Sequence, residues 1–319
     1  MAQENLSQIY EDKLKPQLGQ LEKKRLRLVR MIYFLSGSIL IGVISAFLHF
    51  EKELSGGIFT LIPTLFAIVA SIVFAIKTYN GHEKYRKDFK QSIVKNLLKE
   101  LNPDWQYFPD THISEKNFDR SGLFSKSNSH FKGDDLIYGL IDKTKFCCSE
   151  LHVQDERGTG DKRKTITIFK GIFFFAEFNK HINSKTYVAT DNFESLFGSI
   201  AKTFQKLSFK GSLVNLENQE FEKHFVVHST DQQEARYILT PSIMESMLNL
   251  RHKYGRNIQF SFIRSRVFCS LGFNQNLFEP KVFSTVLNFG DIQFMVNLFN
   301  ISKTIISELN LNTRIWTKD

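Results

Sequence analysis

The sequence predicts an α+β protein, in which an N-terminal two-helix transmembrane hairpin is followed by a mainly antiparallel β cytoplasmic domain with packed helices. Three observations predict this class. Two uncharged apolar runs, residues 31–50 and 58–76, each match the roughly 20 residues that a helix needs to cross a bilayer core of about 30 Å. Amphipathic repeats with helical spacing flank both runs. Beyond residue 104, short β-branched and aromatic runs alternate with glycine and polar turns, which is typical of antiparallel strands.

The two apolar runs are expected to pair as a tight hairpin, because only the short, turn-rich stretch 51–57 separates them. Small residues about one turn apart in the first run would let the second helix approach closely; they are Gly37, Ser38, Gly42 and Ser45. Pro63 is expected to kink the second helix. The alternatives are a signal peptide, whose apolar core is only about 7–15 residues long, and a pair of buried core helices. Two long runs with basic outer flanks favour the membrane hairpin.

Basic residues lie on the outer sides of the hairpin. Those predicted to lie at the membrane surface are Lys23, Lys24, Arg25, Arg27, Arg30 and Lys77. Lys52 is the only basic residue in the stretch between the runs. The positive-inside rule therefore predicts a multi-pass protein of the inner (plasma) membrane, with its N-terminus and its C-terminal domain in the cytoplasm.

Four regions are expected along the chain. Residues 1–30 form an N-terminal amphipathic helix, which packs on the soluble domain or lies on the membrane surface. Residues 31–76 form the transmembrane hairpin, and residues 77–103 continue as a juxtamembrane helix that Asn102 and Pro103 end. Residues 104–319 form the cytoplasmic α+β domain, with a possible division into two subdomains near 190–212.

Within the cytoplasmic domain, alternating apolar patterns predict a series of strands. The predicted strands are residues 136–138, 145–148, 151–154, 165–178, 213–216, 225–228, 257–262 and 266–272. Helices are predicted at residues 80–101, 241–253 and 291–309, and residues 191–206 form a short helix or an irregular connection. Thr240 and Pro241 are the expected cap and first residue of the second of these helices.

Composition excludes several classes of protein. The chain is 42% apolar and 24% charged, which is near the globular average and argues against disorder or a fibrous repeat. Its net charge of +9 is spread among acidic residues without a basic stripe, so nucleic-acid binding is not predicted. Cys147, Cys148 and Cys269 form no disulfide framework, and the adjacent pair has the wrong spacing for zinc. We expect buried thiols in a reducing compartment.

Motifs for catalysis or cofactor binding are absent from the sequence. It contains no phosphate-binding glycine loop, dinucleotide fingerprint, zinc-binding helix motif or nucleophile elbow, so no cofactor and no catalytic residue is predicted. The remaining ligand candidates are Asp134, Asp135 and Glu150, whose carboxylates could bind a divalent cation, and Arg236 at a strand-to-helix junction. Turn chemistry explains Asp134 and Asp135 more simply, and Asp231 near Arg236 is expected to cap a helix.

Several ordered motifs resemble a known family. They are Tyr10, Leu14, Pro16, Leu21 and Arg25; Gly133 to Asp135 with Gly139; Ser149 to Leu151; the stretch 169–174 with Ala176, Asn179 and Lys180; Phe221, Glu222, Phe225 to Val227, Ser229 and Asp231; and residues 235–241. In order and spacing the chain resembles the bacterial membrane-protein family known as domain of unknown function 3137. The resemblance implies two membrane spans and a cytoplasmic domain. It brings no reaction and no catalytic residues.

The expected function is that of a membrane-tethered binding or scaffold module that is not an enzyme, because the catalytic motifs are missing and strands offer edges for a partner. The expected partners are the lipid bilayer and a protein, which could be a second copy of this chain. A membrane-anchored enzyme with a scattered site is one alternative. A subunit of a transporter or envelope assembly is another, although uncharged spans form no substrate path by themselves.

Overall fold

The computed structural model describes residues 3–51, 57–124, 129–158, 160–177, 182–190, 211–255, 257–309 and 311. The chain forms two compact units, Met1–Leu97 with Phe278–Met295 and Leu98–Leu277 with Val296–Asp319. They are called here the helical unit and the sheet unit. The predicted α+β class is confirmed, with two long apolar helices followed by a large antiparallel sheet and further helices. The possible division near 190–212 falls mostly outside the described residues.

The helical unit begins with α1 (Gln3–Ile9), a π-helical turn (Tyr10–Leu14) and α2 (Lys15–Glu51). The wide turn comes just before Pro16, which has no N–H and crowds the preceding turn. The buried face of this N-terminal helical stretch has helical spacing. It comprises Leu6, Tyr10, Leu14, Leu18, Leu21, Arg25 and Leu28. Leu26, although apolar, lies off this face and is exposed.

The second helix of the unit is α3 (Gly57–Phe89), which contains Pro63 and runs into a second π-helical turn (Lys90–Val94) and α4 (Lys95–Leu101). The apolar residues that recur at every fourth position after the second run are buried. They are Tyr85, Phe89, Ile93 and Leu97. The helix ends at Leu101, as the following Asn-Pro pair predicted.

Small side chains join α2 to α3 in their apolar parts. The hydroxyls of Ser38 and Ser71 are 2.9 Å apart, and those of Ser45 and Thr64 are 2.8 Å apart. A Cβ atom added to Gly42 would lie 3.4 Å from the Cβ atom of Ala67. The expected close approach is therefore found at Ser38, Gly42 and Ser45, while Gly37 meets nothing within 4 Å.

The sheet unit contains nine described strands. They are β1 (Gln106–Phe108), β2 (His130–Ile141), β3 (Thr144–Arg157), β4 (Lys164–Glu177), β5 (Lys185–Thr190), β6 (Ser212–Leu213), β7 (Phe225–Ser229), β8 (Ile258–Ile263) and β9 (Arg266–Gly272). The strand order is β1-β2-β3-β4-β9-β8-β5-β7-β6, and all the recorded pairs are antiparallel. The β8–β9 hairpin thus lies between β4 and β5.

Five helices complete the elements used below. They are α5 (Glu115–Arg120), α6 (Gln219–Glu222), α7 (Gln232–Ile238), α8 (Pro241–Tyr254) and α9 (Phe289–Glu308). The Asp231 side chain accepts from Gln233 N and Glu234 N and caps α7, as expected. Thr240 caps α8 and Pro241 is its first residue, again as the sequence predicted.

Aromatic rings fill the core of the sheet unit. Phe118 stacks on Phe124 at 4.9 Å and also contacts Phe169 and Phe173, so one loop-and-helix segment closes a face of the central strands. A second group joins Phe146 to Trp105 at 4.6 Å. Such pairs add about 0.5–1.5 kcal/mol each beyond the area that they bury. Of the 32 phenylalanines of the sequence, 14 are buried in the part of the chain that the structure describes.

The structure corrects some strand boundaries. The predicted strands 145–148 and 151–154 form one strand, β3, which continues through Ser149 and Glu150 because tertiary partners satisfy both polar side chains. Ser149 Oγ accepts from Ile113 N, and Glu150 Oε2 accepts from Leu277 N. The predicted strand 213–216 is only Ser212–Leu213, and the sequence pattern missed β5. The predicted segment 191–206 lies outside the described residues.

Candidate functional site

The carboxylates of Asp134, Asp135 and Glu150 come together between β2 and β3. Each has an oxygen within 4.8 Å of an oxygen of the other two. Antiparallel pairing causes this meeting, because Asp134 lies directly opposite Glu150 in the register of the two strands. Asp135 and Glu150 are buried and Asp134 is half-buried.

A bulge in β2 turns Asp135 into the interior. The strand register shifts between Asp134 and Ile137, and Asp135 has a φ of 56°, in the left-handed region that aspartate tolerates better than most residues. The phenol of Tyr107 donates a hydrogen bond to its carboxylate. Its own amide donates to Pro109 O at 3.2 Å. The segment before α5 is thereby fastened to the bulge.

Three carboxylates at this spacing match the oxygen donors that Ca²⁺ and Mg²⁺ prefer. Two of the three already accept hydrogen bonds from the protein, Asp135 from Tyr107 and Glu150 from Leu277 N. These bonds join β2 and β3 to chain segments on either side of them.

Arg236 lies elsewhere in the sheet unit. It is exposed on α7, and its Nη2 donates to Asn215 O at 3.2 Å. Strand β7, which leads into α7, is separated from β3 by four strands, or about 24 Å at about 4.8 Å per step. The structure therefore brings three of the four ligand candidates together and leaves Arg236 apart.

Two of the three cysteines are buried, as the sequence predicted. Cys148 and Cys269 are buried, Cys147 is half-buried, and all three are free thiols. Burial raises the pKa of Cys147 and of Cys148 to about 12. The thiolate is the reactive and metal-binding form, so these two side chains remain protonated and inert at neutral pH.

The predicted membrane-surface cations of the helical unit fall into two sets. Five are exposed, namely Lys23, Lys24, Arg27, Arg30 and Lys77. Lys24 forms an exposed ion pair of 2.6 Å with Asp88 on α3. Arg25 differs from these five, because it is buried and bonded within its own unit.

An irregular segment, residues 278–288, lies along α2 and α3 and is called here the strap. Arg25 donates from Nη1 to the carbonyl oxygen of Val282 at 2.8 Å and binds Glu22 at 2.6 Å. Glu22 in turn accepts from Val286 N at 3.1 Å. The hydrogen bond from Arg25 lowers the pKa of Glu22, and the bond to Glu22 raises the pKa of Arg25. This pair therefore holds the middle of the strap.

Both ends of the strap are also fastened. Lys90, which is 1% exposed, places its Nζ 2.9 Å from Oε1 of Glu279, and Arg86 Nη1 lies 3.3 Å from the same oxygen. Tyr85 donates to Lys281 O at 3.3 Å. At the far end Tyr10 donates to Leu287 O at 2.6 Å. Polar side chains of the two long helices and of their π-helical turns thus bind the strap in the middle and at both ends.

Sequence reasoning missed the strap, because residues 278–288 form no regular element and carry no periodic pattern. One signal was available. Arg25 and Lys90 interrupt two otherwise apolar helical faces, at the spacing of buried positions. A cation at such a position predicts a buried acidic partner, since a charge is rarely buried without one.

Comparisons with known proteins support one part of the sequence prediction. Residues 167–311 match the family described as "Protein of unknown function (DUF3137)". No curated protein matches the chain. Among solved structures, the mycobacterial trehalose monomycolate transport factor A, TtfA, is similar over 66% of this chain and 92% of its own, at 9% identity and a TM-score of 0.33. A likeness at that level carries no argument about fold or function.

The matched residues include the motifs at 169–174 and 235–241 that carried the resemblance, whereas those at 10–25 and 133–151 lie outside them. The resemblance inferred from the motifs is confirmed by this match. Residues 167–311 of the chain are thus similar to the DUF3137 family, whose function is unknown.

Proposed function

We propose that this chain is an integral protein of the inner (plasma) membrane. In this proposal α2 and α3 form a two-span anchor, and the sheet unit is a binding or scaffold module in the cytoplasm. One observation carries the anchor. In each helix only 6% of the most apolar 18-residue stretch is buried.

The exposure of these helices separates two explanations for their composition. A core helix of a soluble protein is apolar because it is buried. The apolar parts of these two helices are not buried. Isoleucine, valine, leucine and phenylalanine side chains point outward on both helices, from Phe34 to Leu48 and from Ile62 to Ile76. Each such side chain would gain about 1.5–3 kcal/mol by leaving water, which a bilayer core provides.

The polar groups within the spans also fit lipid surroundings. Ser38 bonds Ser71, and Ser45 bonds Thr64, so these hydroxyls satisfy one another across the helix pair. The same arrangement argues for an anchor over a transport path. A path needs charged or unpaired polar groups in the membrane, and residues 31–50 and 58–76 contain no formal charge.

Orientation rests on the basic flanks. Lys23, Arg27 and Arg30 lie exposed before the first span, and Lys77 lies exposed after the second. The positive-inside rule retains such residues in the cytoplasm. Both flanks of the hairpin and the sheet unit would then be cytoplasmic.

The binding-module part of the proposal is supported by the edge of the sheet at β1. The edge strands β1 and β6 are very short, which protects a sheet against pairing with foreign strands. Beside β1, however, Phe108 stacks on Tyr138 at 5.6 Å, and both rings are exposed, as is Leu140. Exposed aromatic side chains are enriched in protein interfaces.

Two measurements test the proposal. Cell membranes are washed with alkaline carbonate, which removes peripheral proteins; the chain should remain in the pellet, and release would overturn the anchor. A photo-crosslinking amino acid is then placed at Tyr138 or, as the matched control, at Tyr237, which is also exposed but lies on α7. A discrete protein adduct only at position 138 supports the module. Equal labelling at both positions, or none at either, contradicts a partner site at β1.

A further inference from the structure

The strap runs toward the apolar parts of α2 and α3 and then turns back. The positions of its partners along the helices show which part of the strap comes nearest to the apolar runs. Glu279 bonds Lys90, which follows Ile76 by 14 residues, or about 21 Å of helix. Lys281 bonds Tyr85, which follows Ile76 by nine residues, or about 13 Å.

The turning point comes next. Val282 bonds Arg25, which precedes Met31 by six residues, or about 9 Å. Beyond this point the partners lie farther from the first apolar run, because Glu22, which bonds Val286, precedes Met31 by about 13 Å of helix, and Tyr10, which bonds Leu287, precedes it by about 31 Å. The apex of the strap is therefore at residues 282–285, one to two helical turns from the apolar runs.

Phe283 lies at this apex and is 75% exposed, as much as the most exposed side chains of the spans. Fixed contacts on both sides of it, to Arg25 and to Glu22, hold the backbone in place. The strap therefore presents one large apolar side chain on a fixed backbone, in the part of the segment whose partners lie nearest the apolar runs.

The surroundings of Phe283 favour a lipid surface as its partner. The headgroup zone occupies about 5–8 Å on each side of the hydrocarbon core, so a side chain that projects from the apex can reach it. The exposed tyrosines Tyr33 and Tyr79 lie at the same end of the spans, where aromatic belts form. The exposed cations Arg27 and Arg30 are suited to anionic headgroups.

We propose that the strap is a third membrane contact of this protein, in which Phe283 inserts its ring among the headgroups of the cytoplasmic leaflet beside the two spans. This inference rests on the proposed membrane anchor. The ring would couple the strap to the membrane surface, and the bonds from Arg25 and Glu22 would fix its depth.

Spin labels test the contact in the full chain in nanodiscs of phosphatidylcholine and phosphatidylglycerol. Three variants carry one added cysteine each: Phe283→Cys, Leu40→Cys within a span, and Gln20→Cys, which is exposed on α2 about 16 Å before Met31. The wild-type chain gives the background from the native cysteines. Relaxation by oxygen, which concentrates in lipid, is compared with relaxation by a water-soluble nickel chelate.

The expected ratio of oxygen to nickel accessibility is highest at position 40, intermediate at 283 and lowest at 20, with 283 several-fold above 20. A ratio at 283 equal to that at 20 would overturn the inference while a high ratio at 40 still supports the anchor. A label at 283 that neither reagent reaches would show a protein contact in place of lipid, and would also overturn it. A low ratio at 40 would instead refute the anchor itself.

Discussion

The ammonium group of Lys90 lies 2.9 Å from the carboxylate of Glu279, and the lysine side chain is 1% exposed. This pair closes one end of the strap on α3. A buried cation that loses its partner costs about 3–5 kcal/mol, because the charge remains desolvated without compensation. We therefore predict that Glu279→Gln lowers the stability of the chain by an amount in this range, because Lys90 and Arg86 both lose the carboxylate that they share.

The measurement is thermal unfolding of the purified chain in detergent. Lys281→Ala is the matched control, because Lys281 pairs with Asp291 in the same unit but is 60% exposed. Its loss should cost at most about 1 kcal/mol. Equal effects of the two substitutions would contradict a buried, structurally important pair at Lys90.

The packing of α2 on α3 depends on Gly42. A side chain there would meet Ala67, whose Cβ lies 3.4 Å from the position of an added Cβ. Gly42→Leu should lower stability by about 1–3 kcal/mol, the usual cost of overpacking. Gly37→Leu is the control in the same helix, because nothing lies within 4 Å of its added Cβ. A melting temperature that falls equally in both variants would show that the helices do not pack through Gly42.

The strap should loosen in acid. The pKa of Glu22 is lowered in the folded chain, chiefly by the hydrogen bond from Arg25. A carboxylate with a depressed pKa stabilises the fold fully above its ordinary pKa, and this contribution is lost as the pH falls through the depressed value. Hydrogen exchange of residues 278–288, corrected for the intrinsic effect of pH, should therefore rise only below the ordinary carboxyl range.

Glu22→Gln provides the neutral-pH counterpart of this experiment. The variant removes the charge, so the strap should already exchange faster near pH 7 and should respond less to acid. An exchange rate that is unchanged in the variant, or a wild-type response above the ordinary carboxyl range, would refute the role given to Glu22.

The acidic group of the sheet unit is predicted to be structural. Asp135→Ala removes the acceptor of the Tyr107 hydroxyl and places alanine at a φ of 56°, so we expect a loss of about 1–3 kcal/mol. Asp135→Asn keeps an acceptor oxygen and tolerates the same backbone, and it should lose less. Melting curves with and without Ca²⁺ or Mg²⁺ check this account. A cation that stabilises the wild type but not Asp135→Asn would show a cation site instead.

Local patterns were sufficient to predict much of the fold. The helical repeat from Tyr85 to Leu97 and the end of the helix at Leu101 depend on neighbours one turn away, so the sequence displays them directly. The same holds for the caps at Asp231 and Thr240. Strand β3 was divided wrongly because Ser149 and Glu150 resemble a break until their distant partners are known.

The candidate residues show the same limit. The proximity of Asp134 and Glu150 could be predicted, because adjacent antiparallel strands place them opposite each other. The place of Arg25 on an apolar helical face distinguished it from the other flanking cations, but its acceptor at Val282, 257 positions away, could not be predicted. The strap as a whole is defined by such long-range bonds and by no pattern of its own.

The central claim is that α2 and α3 cross a membrane with the sheet unit in the cytoplasm. Reporter fusions test it most directly. A reporter that is active only in the cytoplasm is joined after Asp319, near Arg25, or in the stretch between the spans at Ser55. We predict activity at Asp319 and at Arg25 and silence at Ser55, with the opposite pattern for a reporter that is active only outside the cytoplasm. Cytoplasmic activity at all three positions would show that neither helix crosses, and the reversed pattern would contradict the orientation.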